Sequence, residues 1–67
     1  MTFSEKLKQT RIHRGYTQTQ LANLIGVTPA AISRYENGIR KPNAIVIRNL
    51  AITLGISSDE LLCMNKN

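Results

Sequence analysis

The sequence has a single cysteine, Cys63, so no disulfide can form within the chain. That shortage fits a reducing compartment. Cys63 itself reads as a small apolar side chain near a helix end. There is one histidine, His13, and no tryptophan. No metal-ligand spacing, phosphate-binding loop or nucleophile constellation is present. His13 falls in the last turn of the first expected helix, where the helix dipole accounts for it. A helical domain of 67 residues also leaves little room for a cleft. Catalysis is therefore not expected, and no cofactor or metal is called for. Long apolar runs are missing too. The longest is Ala44-Ile45-Val46-Ile47, far short of the roughly 18 residues that a membrane span needs. Met1 to Gln9 is polar and charged and shows no secretory pattern. The expectation is a soluble protein with no membrane partner. No stretch alternates apolar and polar residues between turn signals, so strands are not expected.

The chain is also poor in acid. Four Asp and Glu stand against nine Lys and Arg, for a formal charge of +5. A basic domain carries the electrostatic signature of a polyanion partner, although many small basic proteins bind no nucleic acid. The length makes one domain, residues 1–67. A chain this short buries only about 60% of the surface that its unfolded form exposes. Its core is small, and pairing with a second copy would add stability.

What is present is punctuation. Gly15, Gly26, Gly38 and Gly55 each follow a stretch that reads as helix, where a left-handed residue closes the last turn. Thr2-Phe3-Ser4-Glu5, Thr17-Gln18-Thr19-Gln20 and Ser57-Ser58-Asp59-Glu60 have capping-box spacing. Thr28 precedes Pro29, a cap followed by proline at the first helical position. Asn43 follows Pro42 and can cap another helix. Hydrophobic staples pair Tyr16 with Leu21, Val27 with Ile32, and Ile56 with Leu61. These signals predict five helices at roughly 3–14, 18–25, 29–37, 44–54 and 58–63. Met64-Asn65-Lys66-Asn67 is expected to fray. The fold class is all-α, a compact five-helix bundle.

The informative stretch runs from Gln18 to Asn37. A helix carrying Leu21, Ala22 and Ile25 ends at Gly26, and only Val27 and Thr28 precede the next. So short a link forces the two helices to cross steeply. Ala22 is small enough to allow close approach, and Val27 and Ile32 fill the angle. That is a helix-turn-helix at about 18–37 in physical terms.

Several residues also carry a resemblance. They are Thr17-Gln18-Thr19-Gln20-Leu21-Ala22, Ile25-Gly26-Val27-Thr28, Ile32-Ser33-Arg34-Tyr35-Glu36-Asn37-Gly38, Lys41-Pro42, and Leu50-Ala51 with Leu54-Gly55-Ile56. Together they resemble the lambda Cro and phage-repressor (Xre) family of helix-turn-helix domains over nearly the whole chain. The resemblance implies a lambda-repressor-like fold and double-stranded DNA as partner. It also implies a transcriptional regulator, a repressor on a palindromic operator working as a homodimer, bacterial or phage-encoded, cytoplasmic and nucleoid-associated when bound.

Each residue of the third helix advances roughly 100° around its axis. Ile32, Tyr35 and Glu36 share one side, which must pack on the core. Ala30, Ser33, Arg34 and Asn37 share the other, which is short, polar and basic and suits the major groove. Arg34 can fork onto both acceptors of a guanine edge, or touch only phosphate. Ser33 can donate or accept. Pro29 and Ala30 can touch a thymine methyl. Members of the family often carry polar readers at the start of this helix, whereas Pro29, Ala30 and Ala31 are apolar. Specificity then leans on Arg34, Ser33 and DNA shape. Thr28 is counted on the DNA side, although its cap role alone accounts for it. The resemblance assigns Gln18 a backbone phosphate, at a helix start that favours an anion. Asn37 serves either a phosphate or the helix end. At least one of Arg40 and Lys41, on the loop that follows, is expected on phosphate. Lys6, Lys8, Arg14 and Arg48 read as solvated.

Phe3, Leu7 and Arg11 recur every four residues, which puts Arg11 on the apolar stripe of the first helix. A charge there needs a partner. Glu36, on the core side of the third helix, is the natural one, and the resemblance implies the same pair. On the fourth helix Ile47, Leu50, Ala51 and Leu54 form the inward stripe. Ile45 and Ile52 point the other way and, with Ile39, suggest a contact surface. Leu62 and Met64 offer an alternative. The candidate occupants are a second copy, a toxin, or an effector domain. The competing functions are an antitoxin that autoregulates its promoter and an interaction module that has lost DNA binding.

Overall fold

The computed structural model describes residues 1–64. The fraying expected for Asn65, Lys66 and Asn67 lies outside the described residues. Helix formation begins at the caps. Thr2 Oγ1 accepts the Glu5 N–H at 3.2 Å, and the Glu5 carboxylate accepts the Thr2 N–H at 2.9 Å. This reciprocal pair opens α1 (Phe3–His13). Thr17 and Gln20 make the same box, at 3.0 and 2.9 Å, and open α2 (Gln18–Ile25). Thr28 Oγ1 accepts the Ala31 N–H at 3.1 Å ahead of α3 (Pro29–Glu36), which starts on proline. Asn43 Oδ1 accepts the Val46 N–H at 2.9 Å and opens α4 (Ala44–Leu54). At α5 (Ser58–Leu61) only half of the expected box forms: Ser57 Oγ accepts the Glu60 N–H at 3.0 Å. The Glu60 carboxylate instead meets Lys6 Nζ at 3.5 Å. Lys6 is therefore tied to α5 and half-buried, not simply solvated.

Three helices end one or two residues earlier than the sequence predicts, at His13, Glu36 and Leu61. The reason is the same each time. Arg14, Asn37 and Leu62 have ψ of −4°, 2° and −1°, a flattening that leaves the helix. The residue after each is left-handed: Gly15, Gly38 and Cys63, with φ of 84°, 73° and 59°. Periodicity counts the flattened residue as helical because its side chain still points the same way. Cys63 takes a conformation that costs a side chain about 1–2 kcal/mol.

The core is a single cluster of Leu7, Leu21, Ala22, Ile32, Tyr35, Leu50, Ala51, Leu54 and Leu61. Tyr16, Val27 and Ile56, the expected staples, are partly buried against it. α1 packs on α3 and α5, α2 on α3 and α4, and α4 on α5. Gly26 turns the chain at φ 77°, and the Val27 N–H closes on the Ala22 carbonyl at 3.0 Å. Ala22 is fully buried, so α3 lies against α2 where a larger side chain would hold it off. The described residues contain no strand, and no helix among them is long and apolar enough to cross a membrane.

Candidate nucleic-acid interface

α3 divides as its periodicity requires. Ile32, Tyr35 and Glu36 are buried. Pro29, Ala30, Arg34 and Asn37 are exposed, and Ser33 is half-exposed. Ala31 turns partly inward and packs against the core, so the apolar start of the outward face shrinks to Pro29 and Ala30. Asn37 Nδ2 donates to Ser33 Oγ at 3.3 Å. The two polar residues thus form one unit, one turn apart on the outward face. Asn37 also supplies the helix end, its backbone N–H reaching the Ser33 carbonyl at 2.9 Å. Arg34 makes no ion pair or side-chain hydrogen bond among the described residues. Its carbonyl, however, accepts the N–H groups of Ile39 at 3.0 Å and Arg40 at 3.4 Å. These bonds fold the basic loop back onto the end of α3, so Arg40 and Lys41 stand beside Arg34's helix.

The support beneath this face is a buried ionic network. Arg11 Nε donates to Glu36 Oε2 at 2.6 Å, and Nη2 donates to Oε1 at 3.2 Å. Nη1 donates to the Tyr16 carbonyl at 2.9 Å. Arg11 and Glu36 are 9% and 8% exposed, so the pair is desolvated and survives through these added bonds. No buried side-chain nitrogen or oxygen among the described residues lacks a partner. The network joins α1, the turn after it, and α3.

Gln18 belongs to the same network, which the sequence reading missed. Its Nε2 donates to Glu36 Oε1 at 3.0 Å. The side chain is half-buried at the start of α2, held by a carboxylate that itself is held by Arg11. One hydrogen of the amide is used, and the second remains available.

The electrostatics follow from where the acids lie. Between Glu5 and Asp59 the sequence has one carboxylate, Glu36. It is buried and neutralised by Arg11. Glu5, Asp59 and Glu60 are exposed, but they sit in the first turns of α1 and α5. Exposed carboxylates are therefore absent from α2, α3 and α4 and from the loop that carries Arg40 and Lys41. The spacing of the four acids, and not only their number, carries this signal in the sequence. Glu5, in the first turn of α1, is pulled off its ordinary value. The Thr2 backbone N–H, then its hydroxyl, hold its carboxyl below the usual range.

The partner-surface residues do not all share the same surroundings. Ile39, Ile45 and Ile52 are 74%, 70% and 67% exposed. Leu62 is half-buried and does not join them. It lies in a groove with Phe3, Pro42 and Ile47, and Ile47 is about 200° around α4 from Ile45.

The sequence profile of the helix-turn-helix family matches residues 7–61. An uncharacterized helix-turn-helix transcriptional regulator of Bacillus subtilis, YonR, derived from the SPbeta prophage, is 37% identical over 60 residues covering 90% of this chain. The chain spans 56% of that regulator's length, and 30% and 52% of the next two relatives. Among solved structures, the P22 c2 repressor, in complex with a synthetic operator, superposes with a TM-score of 0.91 at 28% identity, covering 97% of this chain and 98% of that one. The restriction-modification controller protein C.AhdI of Aeromonas hydrophila does so with a TM-score of 0.84 at 32% identity, covering 88% and 89%.

Proposed function

The chain belongs to the helix-turn-helix family, of the Cro and phage-repressor type, and from that premise we propose that it reads double-stranded DNA as a transcriptional repressor. It acts in the cytoplasm, as a homodimer on a palindromic operator. One observation carries the reading. Arg34 stands unpaired on the outward face of α3, flanked by unpaired Arg40 and Lys41, on a surface free of exposed carboxylate among the described residues.

The roles follow from position. α3 enters the major groove, with Arg34 on a guanine edge and the Ser33–Asn37 unit beside it. Pro29 and Ala30 press on thymine methyls, and Thr28 flanks them at the cap. Gln18 gives its second amide hydrogen to a phosphate, while Arg40 and Lys41 hold the backbone on the other side. Two recognition helices of a dimer would reach successive grooves about 34 Å apart. Enrichment of bound duplexes from a random DNA pool tests this at near-physiological salt. A palindrome with half-sites one helical turn apart is expected. Recovery of no motif would discard the operator reading.

A protein contact is favoured by the exposed Ile39, Ile45 and Ile52. A second copy is the occupant we propose for them. A toxin or a further domain of a longer protein is the competing occupant, and the antitoxin reading stands or falls with it.

A further inference from the structure

A groove of about 400 Å³ runs between the start of α1, the α3–α4 loop and the end of α5. Its floor is apolar: Phe3, Pro42, Ile47 and Leu62, each only partly buried. Phe3 and Ile47 lie directly on the core cluster, so the floor is rigidly backed. Its rim is cationic. Arg40 and Lys41 line it, both exposed and without an ion pair among the described residues. No carboxylate lines it. Apolar clefts of this size with a few convergent polar groups are the usual form of a binding site.

We propose that this groove docks an acidic segment of a partner protein, inserting an aliphatic side chain between flanking carboxylates that meet Arg40 and Lys41. Charge decides the occupant. A free phosphate would leave Phe3, Ile47 and Leu62 unused. A second copy meeting the groove through the same face would bring its own Arg40 and Lys41 towards the rim, and like charges oppose that approach. An acidic strand or helix with a leucine matches floor and rim together. The consequence deepens the proposed function and rests on it. Arg40 and Lys41 are the same cations that hold DNA phosphates, so the partner and the operator compete, and docking releases the DNA.

The test separates the two readings, because docking is measured first without DNA. The isotopically labelled chain is titrated by NMR with acetyl-Glu-Glu-Leu-Leu-Glu-Glu-amide, with hexaglutamate, and with decanoate. The leucine-bearing peptide should shift the amides of Phe3, Ile47 and Leu62 and bind at least about tenfold tighter than hexaglutamate. Leu62→Ser should weaken the peptide by a similar factor and leave DNA affinity unchanged. Equal binding of hexaglutamate would reduce the groove to a charge effect and overturn the proposal. Preferential seating of decanoate would replace the protein partner by a small amphiphile. Groove shifts that grow with protein concentration alone would give the site to a second copy. If Leu62→Ser fails to fold, the ranking of the three probes on the unaltered chain still decides. Should the chain bind peptide in the groove yet enrich no DNA motif, docking survives and only the competition falls.

Discussion

Glu36 holds Arg11 across 25 positions of sequence with two hydrogen bonds, 2.6 Å from Nε to Oε2 and 3.2 Å from Nη2 to Oε1. Removing one partner strands a buried charge, whereas removing both does not. Glu36→Ala should therefore cost about 3–5 kcal/mol, a large share of what so small a domain has. Arg11→Met with Glu36→Ala should cost less than Glu36→Ala alone, and Arg11→Met completes the cycle. Urea unfolding of the double-mutant cycle measures this. Additive single effects would mean that the two side chains do not act as a pair.

Arg34 has no partner in the protein among the described residues, so its truncation should leave the fold intact. Arg34→Ala should weaken operator binding by about 1–3 kcal/mol and flatten the base preference at one position in each half-site. Duplex enrichment with the variant reads both. A uniform loss across all sequences would move Arg34 from base edge to phosphate.

Arg40 and Lys41 are assigned to phosphate, and phosphate contacts announce themselves through salt. Each neutralised phosphate contributes about 0.9 to the slope of log affinity against log salt. Arg40→Gln and Lys41→Gln should each lower the magnitude of that slope by about one while leaving the preferred sequence unchanged. An unaltered slope in both would take the loop off the DNA.

The helices were legible in the sequence because their signals are local. Thr2 with Glu5, Thr17 with Gln20, and Thr28 with Pro29 lie within one turn of each other, and the left-handed glycines follow at once. The inward and outward faces of α3 were legible for the same reason, since a fixed rotation per residue sorts them. What the sequence did not disclose depends on elements far apart along the chain. Gln18 meets Glu36 only because α2 packs on α3. Glu60 leaves its box for Lys6 because α5 lies on α1. Leu62 parts from Ile45 because Ile47, on another side of α4, shares its groove. Arg11 with Glu36 was the exception, since burying a charge demands a partner and few acids were on offer.

Glu5 gives a pH signature. Its carboxyl titrates below the ordinary range because the Thr2 N–H bonds to its ionised form, with a smaller contribution from the neighbouring Thr2 hydroxyl. A depressed folded-state value means stability that is fully present above the unfolded value and lost as pH falls through the folded one. Melting temperature should therefore decline over that acid interval, and Glu5→Gln should remove part of the decline. The carboxyl is exposed, so the effect is small. Direct NMR titration of the Glu5 side chain is the sharper check, and Thr2→Ala, which removes the hydroxyl and keeps the backbone N–H, should return it part of the way towards its ordinary value. A Glu5 titration indifferent to Thr2→Ala would leave the shift to the Thr2 backbone N–H alone.

Ile45 and Ile52 lie seven residues apart on α4, on one side of it, and are 70% and 67% exposed. Two such side chains gain most by facing a partner, because burying an isoleucine contributes about 1.5–3 kcal/mol. A stable dimer needs roughly 800 Å² from each copy, more than two side chains provide, so the contact must spread along α4 beyond them. Arg48 lies between them and is exposed. Its stem can pack beside them while its charge stays in water. Ile52→Lys would bring a charge from each copy into such a contact. Sedimentation of the unaltered chain should give a dimer at high concentration, and Ile52→Lys should shift it to monomer with no loss of helix content. Operator affinity should then fall and half-site binding persist, because the recognition face is unchanged. A chain that stays dimeric with Ile52→Lys would move the interface off this side of α4. A chain monomeric at all concentrations would leave the two isoleucines to a different protein.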